Sequence, residues 1–507
     1  MLSESGNMTV KNFIDLFKQN SILKEINCDK NLKVDHISYN SRDIKPNTVF
    51  VCKGAHFKEQ FLIDALQKGA VCYVADKKYD IDAPYVLVSD IRLALGIMAN
   101  EFYGYAHKNL SLVGITGTKG KTTTAYFLKY IFDEHLKTKG KQSGLLSSIE
   151  VYDGVINEES TLTTPEPFEL HKHFKNATDC GIDLFTMEVS SQALKYGRVQ
   201  GVEFDIGCYL NIGIDHISAV EHPDFEDYFN SKMKLFAQSK TAIINLDSDK
   251  SEDVLEAVKV TPEVITFSTL NNSADVYGYN IHKSDSNTIF TVRTKSFTEE
   301  FTLSVPGLFN VSNALCAIAV CEKLGIDKET IKTGLLKARS SGRMELYESE
   351  NKKLAVIVDY AHNKLSFENL FDSAKREYPD RQIIIVFGCP GNKAIIRRQG
   401  MAEVSGLNAD MIYVTEDDPA EEKLEDICKV IADYIEGVGA KDKYKIILDR
   451  GEAIKTAIEN AEEKAVILLA GKGAETHQKR GLASEPYESD AFFAKKYLNE
   501  YNERMKK

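Results

Sequence analysis

A short apolar run, a glycine-rich loop and a helical pattern follow one another in residues 110–130, which read LSLVGITGTKGKTTTAYFLKY. The run that ends at Ile115 suits a buried strand, and the glycines permit a tight loop before a helix opens. The free N–H groups and the positive dipole end of such a helix attract phosphate. The segment therefore predicts a nucleotide-phosphate site made of Gly117, Thr118, Lys119, Gly120, Lys121, Thr122 and Thr123.

The spacing of this loop departs from the common phosphate-loop pattern. It reads Gly-x-x-Gly-Lys-Thr from Gly117, and Ile115 stands where the first glycine of Gly-x-x-x-x-Gly-Lys-Thr would be. The alternative interpretation is a surface turn before a helix. The order of strand, loop, Lys-Thr and helix favours the phosphate site, in which Lys121 would reach the β/γ phosphates and Thr122 would hold Mg²⁺.

Composition narrows the class of protein. A chain of 507 residues that is 43% apolar can build several cores, and about three domains are expected. The N-terminus has no signal pattern and no run of about 18 uncharged apolar residues occurs, so we expect a cytoplasmic protein without membrane insertion. The nine scattered cysteines argue against a structural zinc site or a disulfide framework. A formal charge of −12 argues against a nucleic-acid partner.

Secondary-structure patterns divide the chain into three blocks, 1–108, 109–338 and 339–507. The first mixes helices near 59–68 and 91–105 with short strands at 34–40, 48–52 and 71–75. The second alternates helices with buried strands, typical of a parallel sheet covered on both faces, at 112–115, 184–189, 206–210 and 242–246. The third predicts a second doubly wound sheet with strands at 354–359, 382–387, 411–415, 444–448 and 465–470.

Polar residues follow the carboxyl ends of the central strands, where open α/β sheets bind ligands. Glu188 lies at the end of one predicted strand, and the segments NIGIDH at 211–216 and FEDYFNSK at 225–232 come after the next. A carboxylate beside a phosphate loop is well placed to hold Mg²⁺ directly or through water. We therefore predict Glu188 as a metal ligand, although a lone histidine, glutamate or lysine in such loops is more often structural or solvated.

Together these segments resemble the Mur ligases of peptidoglycan synthesis. The motifs that carry the resemblance occur in order along nearly the whole chain: TGTKGKTTT (116–124), LTTPEP (162–167), MEVSSQAL (187–194), GRV (197–199), NIGIDH, FEDYFNSK, PGLFNVSNALCAIA (306–319), SGRME (341–345), DYAHNK (359–364) and AGKGAE (470–475). Within the family, NSRDIKPNTVFVCKG (40–54) and DDPA (417–420) point to the ligases that add the third residue of the stem peptide.

The resemblance implies a fold and a reaction. The fold would have a small N-terminal α/β domain that binds UDP, a central ATPase domain with the phosphate loop, and a C-terminal Rossmann-like domain that binds the amino acid. ATP would phosphorylate the glutamyl γ-carboxylate of UDP-N-acetylmuramoyl-L-alanyl-D-glutamate, and an amine would attack the resulting acyl phosphate. A carboxylate is a poor electrophile, so the protein mainly positions the reactants and neutralises charge.

The resemblance also assigns roles to individual residues. The catalytic residues would be Lys121, Glu188, His216 and Lys232, and the last three with Thr122 would hold Mg²⁺. Lys232 stands where the family carries a lysine carbamylated by CO₂, which turns a cation into an anionic oxygen ligand. Further ATP contacts would come from Asn310, Arg343, Asp359 and His362. The UDP end would meet Ser41 and Arg42, and the sugar–peptide part would meet Thr163, Thr164, Ser190 and Arg198.

The incoming amino acid is expected to be L-lysine. Relatives that use meso-diaminopimelate carry Asp-Asn-Pro-Arg, in which the arginine suits a bidentate grip on a distal carboxylate, whereas this chain has Ala420 there. Asp418 stands where those relatives have asparagine, and with Glu475 it makes the pocket more anionic, which favours an ammonium. Asp417 would also bind the substrate. Lys393 would hold the α-carboxylate. meso-Diaminopimelate and L-ornithine stay as alternatives, the latter because one methylene is discriminated weakly.

Three other classes of protein compete with this interpretation. Folylpolyglutamate synthetase shares the phosphate loop but lacks the uridine-binding block that residues 34–75 suggest. The Mur-ligase-like subunit of the lipid II amidating complex carries a four-cysteine zinc ribbon, which the scattered cysteines do not match. A nucleotide-binding scaffold with a degenerate site is disfavoured because all the catalytic residues are present. The expected partners are the UDP-linked muropeptide and a diamino acid, with no obligate protein partner evident.

Overall fold

The computed structural model describes residues 8–54, 57–160, 162–213, 217, 221–284, 287–305, 307, 309–339, 342, 344–392 and 395–506. Three of the predicted site residues, His216, Arg343 and Lys393, lie outside the described residues. Within the described ranges, no helix is long and apolar enough to cross a membrane.

The N-terminal region folds around a five-stranded sheet with the order β1-β5-β4-β3-β2, in which only β1 is antiparallel to its neighbour. The predicted helices and the three predicted strands are present, with two further strands and a first helix that the sequence patterns did not reveal. The elements are α1 (Val10–Gln19), β1 (Leu23–Asn27), β2 (His36–Ser38), β3 (Thr48–Val51), α2 (Glu59–Gln67), β4 (Ala70–Ala75), β5 (Tyr85–Val88) and α3 (Ile91–Phe102).

The central region begins with the strand, loop and helix that were predicted. Its first half comprises β6 (Ser111–Thr116), α4 (Lys121–Leu136), β7 (Gly144–Leu146), β8 (Glu150–Tyr152), β9 (Asn157–Glu159), α5 (Pro167–Asp179), β10 (Leu184–Glu188), α6 (Ser191–Lys195) and β11 (Phe204–Tyr209). Its second half comprises α7 (Phe225–Met233), β12 (Ser239–Asn245), α8 (Ser251–Ala257), β13 (Glu263–Ser268), β14 (Val276–Ser284), β15 (Asn287–Arg293), β16 (Thr298–Leu303), α9 (Asn310–Lys323) and α10 (Lys328–Lys337).

The four strands predicted for the central sheet all lie in its parallel part, and antiparallel hairpins that were not predicted extend the sheet at both ends. Its eleven strands have the order β16-β15-β14-β13-β12-β11-β6-β10-β7-β8-β9. The strands from β14 to β7 pair in parallel, whereas β15 and β16 at one end and β8 and β9 at the other pair antiparallel. The short connections at both ends allow hairpins, while each parallel pair needs a crossover. Strand β6 therefore lies within the parallel part, where helices cover both faces.

The C-terminal region forms the second doubly wound sheet. Its six strands have the order β17-β18-β22-β19-β20-β21, with only β17 antiparallel. The elements are β17 (Glu345–Glu348), β18 (Leu354–Asp359), α11 (Lys364–Glu377), β19 (Gln382–Phe387), α12 (Ile396–Asn408), β20 (Met411–Val414), α13 (Leu424–Gly437), β21 (Tyr444–Ile446), α14 (Arg450–Glu459), β22 (Ala465–Ala470), β23 (His477–Arg480), β24 (Ala483–Pro486) and α15 (Asp490–Met505). Strands β23 and β24 form a separate hairpin.

One apolar cluster joins the central and C-terminal sheets. Val113 of β6 and Leu315 of α9 belong to the same buried cluster as Ile357 of β18 and Leu468 of β22. The carboxyl ends of β6 and β10 therefore lie near the carboxyl ends of the C-terminal strands, and the cavity between them is lined from both sides. The three sheets fall within the three blocks expected from the sequence, while the block boundaries stay a prediction.

Candidate active site

The loop between β6 and α4 has the backbone geometry of a phosphate site. Gly120 precedes the first helical residue with φ of +84°, a left-handed conformation that L side chains rarely adopt. A Cβ at this position would lie 2.3 Å from Asn313 Oδ1. Lys121 folds over the loop and donates hydrogen bonds to the carbonyls of Gly117 at 2.8 Å and Thr118 at 3.3 Å. The shape of the loop therefore depends on glycine at position 120 and on the lysine that closes over it.

Residues that follow β11 brace the loop from behind. Asn211 Oδ1 accepts from the backbone N–H of Lys119 at 2.9 Å, and Asn211 Nδ2 donates to the Lys119 carbonyl at 3.1 Å. On α7, the Tyr228 hydroxyl lies 2.9 Å from Thr118 Oγ1. The buried Lys232, one turn further along, donates to the Gly117 carbonyl at 3.0 Å. The segment after β11 and helix α7 therefore support the loop, mainly at its carbonyl groups.

Two oxygen-bearing side chains meet beside the phosphate loop, one from the start of α4 and one from the end of β10. The Thr122 hydroxyl is 3.0 Å from Ser148 Oγ, and Glu188 Oε1 accepts from the Ser148 backbone N–H at 2.8 Å. Ser148 therefore brings the Thr122 hydroxyl and the Glu188 carboxylate together, and both of these side chains are buried. A hydroxyl and a carboxylate beside a phosphate loop are the hard oxygen donors that Mg²⁺ prefers, and the ion fills its remaining positions with water and phosphate oxygens. Thr122 and Glu188 therefore fit a magnesium ion.

A cavity of about 470 Å³, here called the catalytic cavity, separates this loop from the C-terminal sheet. One wall carries Lys121, Thr122 and Glu188. The opposite wall carries Tyr360, His362, Arg397, Asp417, Asp418 and Glu475. Cationic and metal-binding groups thus face an acidic wall across one space. Such a site can hold a phosphorylated anion on one side and an ammonium on the other.

The acidic wall is a connected network. Lys472 is fully buried and its Nζ lies 3.0 Å from Asp418 Oδ1 and 2.5 Å from Glu475 Oε2. The Tyr360 hydroxyl donates to Glu475 Oε1 at 2.5 Å. Burial raises the pKa of Asp417 to about 6, against the opposing charges of Arg450 and Lys472. Asp418 and Ala420 both adopt left-handed backbone conformations, with φ of 49° and 50°, so the DDPA turn is held in an unusual shape.

A smaller cavity of about 130 Å³, here called the cationic cavity, adjoins the other side of the loop. Lys121, Arg198 and Lys232 line it together with Thr163 and the capping residue of α6, Ser190. The buried His222 also lines it, with its Nδ1 2.6 Å from Asp227 Oδ2. Lys121 and Arg198 face this cavity together with the carboxylate of Glu221, so its positive side suits an anionic substrate group.

The remaining predicted residues lie at the edges of these cavities or away from them. Thr164 is buried beside the cationic cavity and donates to the Glu188 carbonyl at 2.9 Å. Asp359 Oδ2 accepts from the Met344 backbone N–H at 2.8 Å, at the end of β18. Asn310 is buried at the start of α9 and accepts from Asn313 Nδ2 at 2.9 Å. Ser41 and Arg42 lie in the turn between β2 and β3, next to Lys68, which donates to the Ser41 carbonyl at 2.7 Å.

Sequence reasoning missed several residues that line these cavities. Ser148 lies in none of the motifs, whereas Tyr360 and Lys472 belong to the DYAHNK and AGKGAE motifs but were assigned no role, and Lys472 contacts the acidic wall from behind. Arg397 lines the catalytic cavity, whereas its neighbour Arg398 is buried and pairs bidentately with Glu422 at 2.7 Å. The adjacent pair of arginines in the sequence gives no signal as to which one faces the site.

Two family models match the chain. One, described as the Mur ligase middle domain, matches residues 115–321, and the other, described as the Mur ligase, glutamate ligase domain, matches residues 342–473. A UDP-N-acetylmuramyl-tripeptide synthetase of Lactobacillus delbrueckii subsp. bulgaricus is 36% identical in an alignment of 518 residues, gaps included, that covers 97% of this chain and 99% of that protein. A UDP-N-acetylmuramoyl-L-alanyl-D-glutamate--L-lysine ligase of Enterococcus faecalis is 37% identical over 478 residues, which cover 93% and 92%. A solved structure of a UDP-N-acetylmuramoyl-L-alanyl-D-glutamate--2,6-diaminopimelate ligase superposes with a TM-score of 0.66 at 22% identity, covering 98% of this chain and 99% of the other.

Proposed function

This chain belongs to the Mur ligase family, and on that premise we propose that it is an ATP-dependent ligase that adds L-lysine to UDP-N-acetylmuramoyl-L-alanyl-D-glutamate. The observation that carries the proposal is the catalytic cavity, in which a phosphate loop faces an acidic wall. The name of the Enterococcus faecalis relative states the same ligation. The action on a UDP-linked precursor at the expense of ATP also supports a cytoplasmic location.

The proposed reaction activates a carboxylate and then replaces its leaving group. The γ-phosphoryl group of ATP passes to the D-glutamyl γ-carboxylate, which gives ADP and an acyl phosphate. The α-amine of L-lysine attacks the acyl carbon, loses a proton, and expels inorganic phosphate to leave the amide. Lys121 neutralises charge on the β and γ phosphates while the phosphoryl group moves. Bound at Thr122 and Glu188, Mg²⁺ would supply further neutralisation of the phosphate oxygens.

The acidic wall supports L-lysine as the amine. Asp417, Asp418 and Glu475 line the catalytic cavity, and the described residues place one buried ammonium, that of Lys472, among them. Three acids set against Lys472 and Arg397, which lies on the same wall, still leave this wall with one negative charge in excess, which attracts a terminal ammonium and repels a second carboxylate. The α-carboxylate would be held by Lys393, which lies outside the described residues.

Lys232 is proposed to be carbamylated and to ligate a metal ion. Its Nζ is buried 3.0 Å from the Gly117 carbonyl, in the same cavity as Lys121. An ammonium beside a bound magnesium ion would repel that ion, whereas a carbamate presents anionic oxygens. His216 is proposed as a further ligand and lies outside the described residues.

The other contacts follow from the positions of the cavities. Thr163, Thr164, Ser190 and Arg198 are proposed to bind the sugar–peptide part, because they lie in or beside the cationic cavity. Ser41 and Arg42 are proposed for the UDP end, and Asn310, Arg343, Asp359 and His362 for the nucleotide. His362 lines the catalytic cavity, which supports its assignment.

The deciding experiment is a panel of amines assayed with ATP and the UDP-linked dipeptide. We expect kcat/KM for L-lysine to exceed that for meso-diaminopimelate by about thirtyfold or more, which corresponds to roughly 2 kcal/mol. L-Ornithine should be the next best substrate. A higher kcat/KM for meso-diaminopimelate would overturn the choice of amine and leave the ligase standing. Failure of every amine to drive phosphate release would overturn the ligase itself.

A further inference from the structure

One carboxylate joins the N-terminal region to the cationic cavity. Glu166 is the capping residue of α5, and both of its oxygens are engaged by cations. Lys53, which follows β3, pairs with Oε2, and Arg198 Nε lies 2.8 Å from Oε1. The side chains of Lys53, Glu166 and Arg198 are only 20%, 24% and 12% exposed. The contact is therefore a largely buried ion triad that crosses two regions of the chain.

An aromatic contact from the N-terminal region also holds Lys53 in place. Its Nζ lies 4.1 Å from the centre of the Tyr39 ring, a cation–π contact. Tyr39 in turn stacks on Phe168 of α5 with ring centres 5.5 Å apart and donates to Glu169. The ammonium is thus held at Glu166 by groups of both regions.

The position of Arg198 is fixed at the cavity. Arg198 Nη1 donates to the Thr164 carbonyl at 3.1 Å, and Thr164 Oγ1 accepts from the Ser190 backbone N–H at 3.0 Å. Arg198 also lines the cationic cavity. Glu166 and Thr164 therefore aim the guanidinium at the place proposed for the peptide end of the substrate.

The charges of the triad do not cancel. A guanidinium paired with a single carboxylate forms a neutral pair and attracts an incoming anion weakly. The ammonium of Lys53 gives the three groups a net charge of +1. Burial alone would raise the pKa of Glu166, but its hydrogen bond to Lys53 and the charges of Lys53 and Arg198 lower it. Glu166 is therefore ionised at neutral pH, and Lys53 is needed to balance it.

We propose that Lys53 is a positioning residue for the UDP-linked substrate, because it balances Glu166 and leaves Arg198 charged toward the substrate's carboxylate. This inference rests on the proposed ligase function. It assigns to the N-terminal region a second task besides contact with the UDP end. The region would complete the electrostatics of the site at which the peptide carboxylate binds.

The test is a double-mutant cycle on Lys53 and Glu166 in the full-length protein. Lys53→Met should raise the KM for the UDP-linked dipeptide about tenfold, with kcat and the KM for ATP within about twofold of wild type. Lys53→Met/Glu166→Gln should recover most of that loss, because the neutral amide no longer offsets the charge of Arg198, which keeps its hydrogen bond to the Thr164 carbonyl. Glu166→Gln alone should leave the KM unchanged or lower it.

A matched control removes an exposed lysine from another ion pair that joins the same two regions. Lys108 lies 2.8 Å from Glu203 and is half exposed, so Lys108→Met should not change the KM. A role of Lys53 in docking alone would make the double variant as poor as Lys53→Met or worse, and that result would overturn the proposal. So would an unchanged KM in Lys53→Met, or a raised KM in Glu166→Gln. Lack of turnover by the wild-type protein would instead count against the proposed function.

Discussion

Substitution of Gly120 by alanine separates two effects that a methyl group has on the phosphate loop. The first is backbone strain, because Gly120 has φ of +84° and a left-handed L residue costs about 1–2 kcal/mol. The second is a collision, because the new Cβ would lie 2.3 Å from Asn313 Oδ1, about 1 Å inside the 3.4 Å at which ordinary contact begins. Asn313 cannot swing away freely, since its Nδ2 donates to the buried Asn310 at 2.9 Å.

The collision sets the expected loss of activity. If Asn313 stays in place, the loop shifts by about 1 Å, and a misplacement of that size at a reacting group costs about 100-fold in rate. We therefore expect Gly120→Ala to lower kcat/KM for ligation about 100-fold, or roughly 2.7 kcal/mol. The free energy of unfolding should fall by only about 1–2 kcal/mol, the cost of the left-handed conformation.

Gly140 supplies the matched control. It also has positive φ, +64°, but a Cβ there would have nothing within 4 Å. Gly140→Ala should lose similar stability in urea unfolding and keep its activity in a phosphate-release assay. Gly120→Ala/Asn313→Ala should be more active than the product of the two single losses predicts, because the collision is removed. Retention of more than about a tenth of wild-type kcat/KM by Gly120→Ala, or an equal loss in Gly140→Ala, would refute the reasoning.

Four further outcomes are expected. Lys121→Ala should lower kcat by several orders of magnitude, and a residual rate above about a tenth of wild type, a loss under ~1.4 kcal/mol, would rule out its proposed contact with the phosphates. Lys232→Ala should nearly eliminate activity and regain part of it with added short carboxylic acids, whereas a bare ammonium at Lys232 in an active crystal would exclude the carbamate. Burial raises the pKa of Asp417 to about 6, so between about pH 4 and pH 6 the folded chain holds a proton that the unfolded chain has released. The free energy of unfolding therefore falls as the pH rises through this range. Asp417→Asn should raise the melting temperature at pH 7.5 and have little effect at pH 4.5. Burial lowers the pKa of His171 to about 3 and that of His107 to about 4. Below about pH 6.5 these histidines are protonated in the unfolded chain only, which lowers the free energy of unfolding by about 2 kcal/mol per histidine at pH 5. Urea titrations at pH 7.5 and pH 5 should therefore show a smaller loss of stability in His171→Phe than in wild type.

The strands of the C-terminal sheet were the easiest part of the fold to predict. The predicted bounds of β18, β19 and β22 match the structure residue for residue. These strands are buried on both faces, so each reads as an unbroken apolar run between turns. The Mur ligase fold expected from the motifs is confirmed by the family matches and the structural likeness.

The hairpin strands were harder to predict. Strands β14 to β16 bury one face only, and the exposed positions of β14 carry Asn280, His282 and Ser284. Their alternating pattern is therefore diluted by polar residues. Strands β7 to β9 span three residues each, too short for any period to show. Tertiary pairing, not local sequence, decides such segments.

The parts of the candidate site also differ in how far the sequence predicts them. The phosphate loop was predictable because its function depends on a local run of backbone, from β6 through Gly120 to α4. The acidic network was predictable only in part, because Lys472 reaches Asp418 across 54 residues of sequence. The triad around Glu166 was not predicted, since Lys53 lies 113 residues from it. Contacts of this kind depend on how the sheets pack together.

The two walls of the catalytic cavity are formed by different sheets, and this separation affects how such enzymes diverge in evolution. The activating groups are built on β6 and β10, while the acids that would choose the amine follow β20 and β22. A few substitutions after β20 can therefore change which diamine is accepted while the phosphorylating side is inherited intact. Lineages with different peptidoglycan cross-bridges can thus share one activation apparatus, and an inhibitor that spans both walls would meet a constant half and a variable half.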